Sequence, residues 1–257
     1  MHRSSLTRLR HLVFATTAAS VVAAGLLTAV PASAAYYAST ITPGMRVRSC
    51  VNTASAACGQ VATTTSTGRM QCWRDGSWAD GNYSSNRWFL MELSNGQEGF
   101  VHSSFVTNQV SVPNCDTLVR VRAADWALGQ VGRVYAPTAD LRPEFVWAPG
   151  PTGEWSGDCA KLPYLAYLHA GMSYPLANAI DQWQAFKNAG KARYDRFPRY
   201  GDPVFTSIAP YGHTGLYVGG QSMVGTQGVD NKYLPVQVYS MIDRYPTYLG
   251  WARHAAS

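Results

Sequence analysis

Between residues 43 and 115 apolar and polar positions alternate in short runs. Met45-Arg46-Val47-Arg48, Gly59-Gln60-Val61-Ala62 and Met70-Gln71-Cys72-Trp73 each carry the period-two pattern of a half-buried strand. Trp88-Phe89-Leu90-Met91-Glu92-Leu93 continues it, and Asn95-Gly96 is a two-residue hairpin signal that returns the chain through Glu98-Gly99-Phe100-Val101. Five short strands in about 70 residues predict a small all-β unit, a closed or nearly closed barrel.

Past residue 116 the period lengthens. Asp116 is placed to cap a helix in which Val121, Ala124, Leu128 and Val131 recur at helical spacing, ending near Gly132. After a Pro- and Gly-rich connection, Leu162, Leu165, Ala166 and Ala170 line one face of a second helix that stops near Gly171. Pro163 is tolerated there only if the helix begins near Cys159. In His213-Thr214-Gly215-Leu216-Tyr217-Val218 the alternation returns, with Leu216 and Val218 on one face and His213, Gly215 and Tyr217 on the other. Gly215, lacking a side chain, is expected to admit a helix end to the histidine's face. The fold class expected is α+β, with an all-β domain over 43–115 and a mixed domain over 116–257.

Composition narrows the class. At ~150 residues per domain, 257 residues make one or two domains. The 46% apolar content fills real cores, which excludes a disordered chain. Arg3, Arg8 and Arg10 precede an uncharged, largely apolar stretch that closes on Ala32-Ser33-Ala34, the pattern of a secretory signal peptide over 1–34, with a short tail over 35–42. Without those three arginines, 18 of the 21 basic residues face 15 acidic ones, a net charge of +3 in place of +6. That balance gives no support to a nucleic-acid partner. No later stretch is long and apolar enough for a membrane span, so the mature chain is expected to be secreted.

The five cysteines divide unevenly. Cys50, Cys58, Cys72 and Cys115 lie in the first half, and oxidising export favours their pairing. Three connectivities are open. Cys50 with Cys58 would close a small loop and Cys72 with Cys115 would tie a strand to the segment leaving the domain; these are the pairs expected. Cys159 is left over, at the start of a helix, where the partial positive charge lowers a thiol's pKa and favours the nucleophilic thiolate.

A nucleophilic thiol needs a base. Of the three histidines in 116–257, His169 lies ten residues along the cysteine's own helix, about 15 Å away. His254 sits in the last four residues, where chains are commonly poorly ordered. His213 remains. His102, in the all-β unit, is expected to be a surface or packing residue. There is no His-x-His or His-Glu-x-x-His, so neither metal nor cofactor is expected. The basic run Lys187, Lys191, Arg193, Arg196 and Arg199 is taken as a solvated helix end and loop.

The first half resembles a bacterial SH3-like domain through Val47-Arg48-Ser49, Gly59-Gln60-Val61, Trp88-Phe89-Leu90 and Gly99-Phe100-Val101-His102-Ser103-Ser104-Phe105-Val106. That resemblance implies attachment to peptidoglycan or to a neighbouring domain. In the modular reading, 116–257 works on soluble fragments without it.

The second half resembles the NlpC-type, papain-like cysteine peptidases of bacterial cell walls, with the related CHAP amidases close behind. The residues are Gly157-Asp158-Cys159 opening a helix, Arg199-Tyr200-Gly201-Asp202-Pro203-Val204-Phe205 before a strand, and Gly212-His213-Thr214-Gly215-Leu216-Tyr217-Val218-Gly219. The resemblance implies Cys159 as nucleophile, His213 as general base, Tyr135 and Asp158 beside the substrate, and amide bonds of peptidoglycan or its peptide fragments as substrate. The chain departs from the pattern where Ala160-Lys161 replaces Ser-Gly and where the Trp-Gly-Gly after the tyrosine is missing. The third polar residue's register falls on Gly225, so Gln227, two residues on, is the expected replacement. A non-catalytic secreted wall-binding protein with a degenerate hydrolase domain, and an exported effector acting on another amide, are the alternatives. Oligomeric state is left open.

Overall fold

The computed structural model describes residues 39–53, 58–132, 158–208, 211–229, 232–240 and 247–255, with all their side chains except those of 158, 227–229 and 232–234. The leader over 1–34 and Tyr135 lie outside the described residues. In the first half, β1 (Ser39–Ile41), β2 (Arg46–Arg48), β3 (Gln60–Thr63), β4 (Thr67–Ala79), β5 (Ser85–Leu93), β6 (Glu98–His102) and β7 (Val106–Thr107) form one sheet in the order β3-β2-β6-β5-β4-β1-β7. Residues 39–41, expected as tail, are thus strand β1, paired with β4 and β7. The closed or nearly closed barrel is not found. With β1 and β7 added beyond β4, the sheet ends on β3 and β7, and among the described residues no pairing joins them. Both expected disulfides, Cys50–Cys58 and Cys72–Cys115, are formed.

The second half has α1 (Val119–Leu128), α2 (Asp158–His169) and α3 (Ala179–Asn188) against a sheet of β8 (Ala192–Arg193), β9 (Pro203–Thr206), β10 (His213–Gly219), β11 (Ser222–Val229), β12 (Lys232–Ser240) and β13 (Tyr248–Ala252). Its strand order is β12-β11-β10-β9-β13-β8. Asp116 does not cap α1. Asn114 accepts the Asp116 N–H at the head of a short 3-10 turn before α1, and the Asp116 carboxylate pairs with Arg74.

Alternation along β5 explains how the halves join. Phe89, Met91 and Leu93 point into a core internal to the first sheet, with Ile41, Val47, Met70, Val101 and Val106. Trp88 and Leu90, with Phe100 of β6, point the other way. They share one hydrophobic cluster with Val121 and Ala124 of α1, Leu162 and Ala166 of α2, and Leu216 and Val224 of the second sheet. Both faces of β5 are therefore buried, and the second half has no separate core of its own on this side.

A polar junction fixes the register of the halves. Glu98 of β6 and Arg120 of α1 are each 1% exposed and approach to 3.6 Å. Glu98 accepts the Tyr200 backbone N–H and the Gln71 amide, and Arg120 donates to the Tyr200 carbonyl at 2.7 Å and to Gln71. The Tyr200 hydroxyl donates to the Ser49 carbonyl at 2.6 Å, and its ring meets Phe100 edge-on. Gly201 follows at φ +89°, where a Cβ would lie 2.0 Å from the Arg120 carbonyl oxygen, so glycine is required by conformation and by space. Arg199, expected in a solvated loop, is only 8% exposed here.

This junction is at odds with the modular reading. Deleting 43–115 removes Glu98 and Gln71 from Arg120, leaving it the Tyr200 carbonyl, and takes away one wall of the shared core, so residues 116–257 produced alone should show neither native near-UV dichroism nor a cooperative thermal transition. In the intact protein, Phe100→Ala should cost about 3–5 kcal/mol while the melt remains a single transition. A stable, cooperatively melting 116–257 fragment would contradict the shared core.

Candidate active site

Cys159 occupies the second position of α2 and is half-buried, outside both disulfides. Cys159 thus lies in the N-terminal turn of α2, beside the partial positive charge of the helix end. Pro163, inside the helix, lacks the N–H that an α-helix would send to the Cys159 carbonyl. Leu162, Ala166, Tyr167 and Ala170 seat α2 in the shared core. Asp158 begins the helix, and its side chain is not described.

His213 opens β10, paired with Thr206 of β9, and is 7% exposed. Burial lowers its pKa from 6.5 to about 4, so the imidazole is neutral at ordinary pH and available as a base. Its Nε2 lies 2.5 Å from the Tyr239 hydroxyl of β12. Gly215 does not admit a helix end. A Cβ there would meet the Val224 carbonyl at 2.6 Å and the Met223 methyl at 2.8 Å, both from the neighbouring strand β11, while α2 packs on the opposite face, that of Leu216 and Val218.

The two flanks meet on the first turns of α3. Asn178 caps this helix by accepting the Asp181 N–H at 2.9 Å. The Ile180 N–H donates to the Tyr211 carbonyl at 3.0 Å, and the Ile180 side chain fills the space above Gly212, which adopts φ +74°. One half-turn on, the fully buried Gln182 donates to the Ala160 carbonyl at 2.9 Å. The residue after Cys159 and the residues before His213 are therefore tied to positions two apart on one helix.

The other expected residues divide. His169 is exposed and stacks on Trp126, away from the site. His254 is buried, its Nε2 2.6 Å from the Ser173 carbonyl. His102 is a packing residue, held by Ser104 and the Ser85 carbonyl. Gln227 lies in β11, but its side chain is outside the described ones. Gln182 and Tyr239 escaped the sequence reading. Gly225, isolated within a strand, was the available signal for close approach at that point.

No family model matches the chain, and no curated protein matches it. Among solved structures, the P60 domain of an antigen from M. avium subspecies paratuberculosis is 22% identical at a TM-score of 0.37, covering 52% of this chain and 92% of that one. An NLP/P60-family protein described as similar to lipoprotein, from Staphylococcus aureus subsp. aureus Mu50, is 22% identical at a TM-score of 0.38, and the match spans 60% of this chain and 47% of that one. A hypothetical invasion protein of Mycobacterium tuberculosis is 18% identical at a TM-score of 0.39, covering 59% and 69% of the two chains.

Two buried groups give opposite pH dependences. His213 is neutral in the folded state down to about pH 4 but protonates near 6.5 when unfolded, so its contribution is full above 6.5 and is lost as pH falls toward 4. Asp202, fully buried at the head of β9, has its pKa raised to about 7 by burial, against the pull of Arg199 and Arg120. Its contribution is full at low pH and is lost as pH rises toward 7. Chemical denaturation from pH 4 to 7 should therefore show His213→Asn removing a rising slope of about 1.4 kcal/mol per pH unit. Asp202→Asn should remove a falling slope of the same size.

Proposed function

We propose that the chain is a secreted cysteine hydrolase that cleaves peptide amide bonds of peptidoglycan, with Cys159 as nucleophile and His213 as general base. In this reading residues 1–34 are the signal peptide, 43–115 are the SH3-like domain at the cell wall and 116–257 are the NlpC-type hydrolase domain. One observation carries it. The helix turn bearing the thiol and the strand end bearing the neutral imidazole are both anchored to the first turns of α3. Two bridges built from the remaining four cysteines agree with an oxidising, extracellular setting.

The chemistry follows from these groups. His213 takes the proton of the Cys159 thiol, and the thiolate attacks the amide carbonyl. The oxyanion formed is met by N–H groups of the first turn of α2, the Cys159 amide among them. The tetrahedral intermediate collapses as His213 gives the proton to the leaving amine. Water activated by the same imidazole then hydrolyses the thioester and restores the thiol.

Purified sacculi incubated with the mature protein should release soluble fragments with new amine and carboxylate ends, identified by mass spectrometry. Cys159→Ala and His213→Ala should each lower release by at least ~10³-fold, and the double variant should lose little more, because the two act as one unit. Undiminished release by Cys159→Ala would overturn the reading. Retention of the wild type on sacculi with no release would favour the wall-binding alternative.

A further inference from the structure

The geometry points to Tyr239 as the positioning residue of His213: its phenolic oxygen accepts the Nε2–H of the imidazole, which leaves Nδ1 as the basic nitrogen for the Cys159 thiol. This rests on the hydrolase reading above for its chemistry, though not for its geometry.

Strand register brings the two side chains together. Met223 pairs with both Tyr217 of β10 and Tyr239 of β12, and directly paired residues of antiparallel strands project to the same face. Steps of two residues put His213 and Gly215 on the Tyr217 side of β10, and Gly225 on the Met223 side of β11. To reach His213 from β12, the tyrosine must cross β11. It crosses at Gly225, where a Cβ would stand 2.5 Å from the Tyr239 hydroxyl and 3.3 Å from its Cζ. A side chain at 225 and the hydroxyl in its present place exclude one another. The oxygen that ends 2.5 Å from Nε2 thus occupies the space a polar side chain on β11 would have used.

The bond is also sheltered. Tyr239 and His213 are each 7% exposed, and Tyr239 packs in one cluster with Tyr217, Met223, Val204 and Trp251. Water competes poorly there, and the ring that carries the hydroxyl is fixed by packing. An imidazole bonded through Nε2–H is held in one tautomer and one orientation, the two conditions that a base facing a thiol requires. Gln227, the sequence-based choice for this role, becomes the comparison in the test.

Long-range 1H–15N correlation spectra of the mature protein, labelled at histidine, read the tautomer directly and need no turnover. Wild type should show His213 predominantly as the Nε2–H form, Tyr239→Phe should show a mixture, and Gln227→Ala should match wild type. On a peptidoglycan peptide, Tyr239→Phe should lower kcat by about 10-fold to 100-fold with KM changed less than about 2-fold. Gly225→Ala, which crowds the hydroxyl from the strand side, should shift the tautomer in the same sense. An unchanged tautomer in both Tyr239→Phe and Gly225→Ala would overturn the assignment, as would a shift in Gln227→Ala with none in Tyr239→Phe. An Nε2–H tautomer that Tyr239→Phe disturbs, in a wild type that hydrolyses nothing, would uphold the hydrogen bond and defeat the hydrolase reading instead.

Discussion

A carboxylate buried without its hydration must be met by charge and by donors, and Glu98 is met by groups from three distant parts of the chain. Gln71 comes from β4, Arg120 from α1, and the Tyr200 N–H from the turn before β9. Burial raises the Glu98 pKa while Arg120 and the Tyr200 N–H pull it down, so the carboxylate depends on all of them. The turn they fix runs through Gly201 to Asp202, whose carbonyl accepts the Tyr217 N–H at 2.9 Å. Tyr217 lies in β10, and the ladder between β9 and β10 carries the constraint along the strand to His213. The position of the proposed base is thus set in part by a charge in the other half of the molecule.

Much of this was legible in the sequence because it is local. The alternation in 88–93, the apolar stripe of α2 and the strand beginning at His213 each rest on period within a few residues and appear where expected; the Asn95-Gly96 turn is in its place, but Leu93 bonds Gln97 across a longer loop than the two-residue hairpin expected, and of the pair Gly96 alone takes a positive φ. Contacts between distant segments were not legible. Arg120 lies among the apolar positions of α1 and is buried, because its partners arrive from β4, β6 and the loop before β9. Period-two alternation announced that one face of β5 would be buried, but it gives no sign that the other face is a second core. The same holds for the site. Cys159 and His213 stood out through their own neighbours, whereas Gln182 and Tyr239 act across helices and strands.

The two proposed partners sit in different electrostatic surroundings. His213 is desolvated enough to stay uncharged, which keeps it basic in form but weakens it as a proton acceptor unless the proton's origin is favourable. Cys159, half-buried at the N-terminal turn of α2, has that origin: the helix end favours the thiolate that proton transfer creates. The pair therefore divides the work between a neutral imidazole and an electrostatically favoured thiolate.

The most direct measurement is the rate at which iodoacetamide alkylates Cys159 in the native mature protein as a function of pH, since the other four cysteines are held in disulfides. Alkylation of the thiol at pH 6–7 should be slowed about 10-fold or more by His213→Ala. An alkylation rate indifferent to His213→Ala would contradict the account.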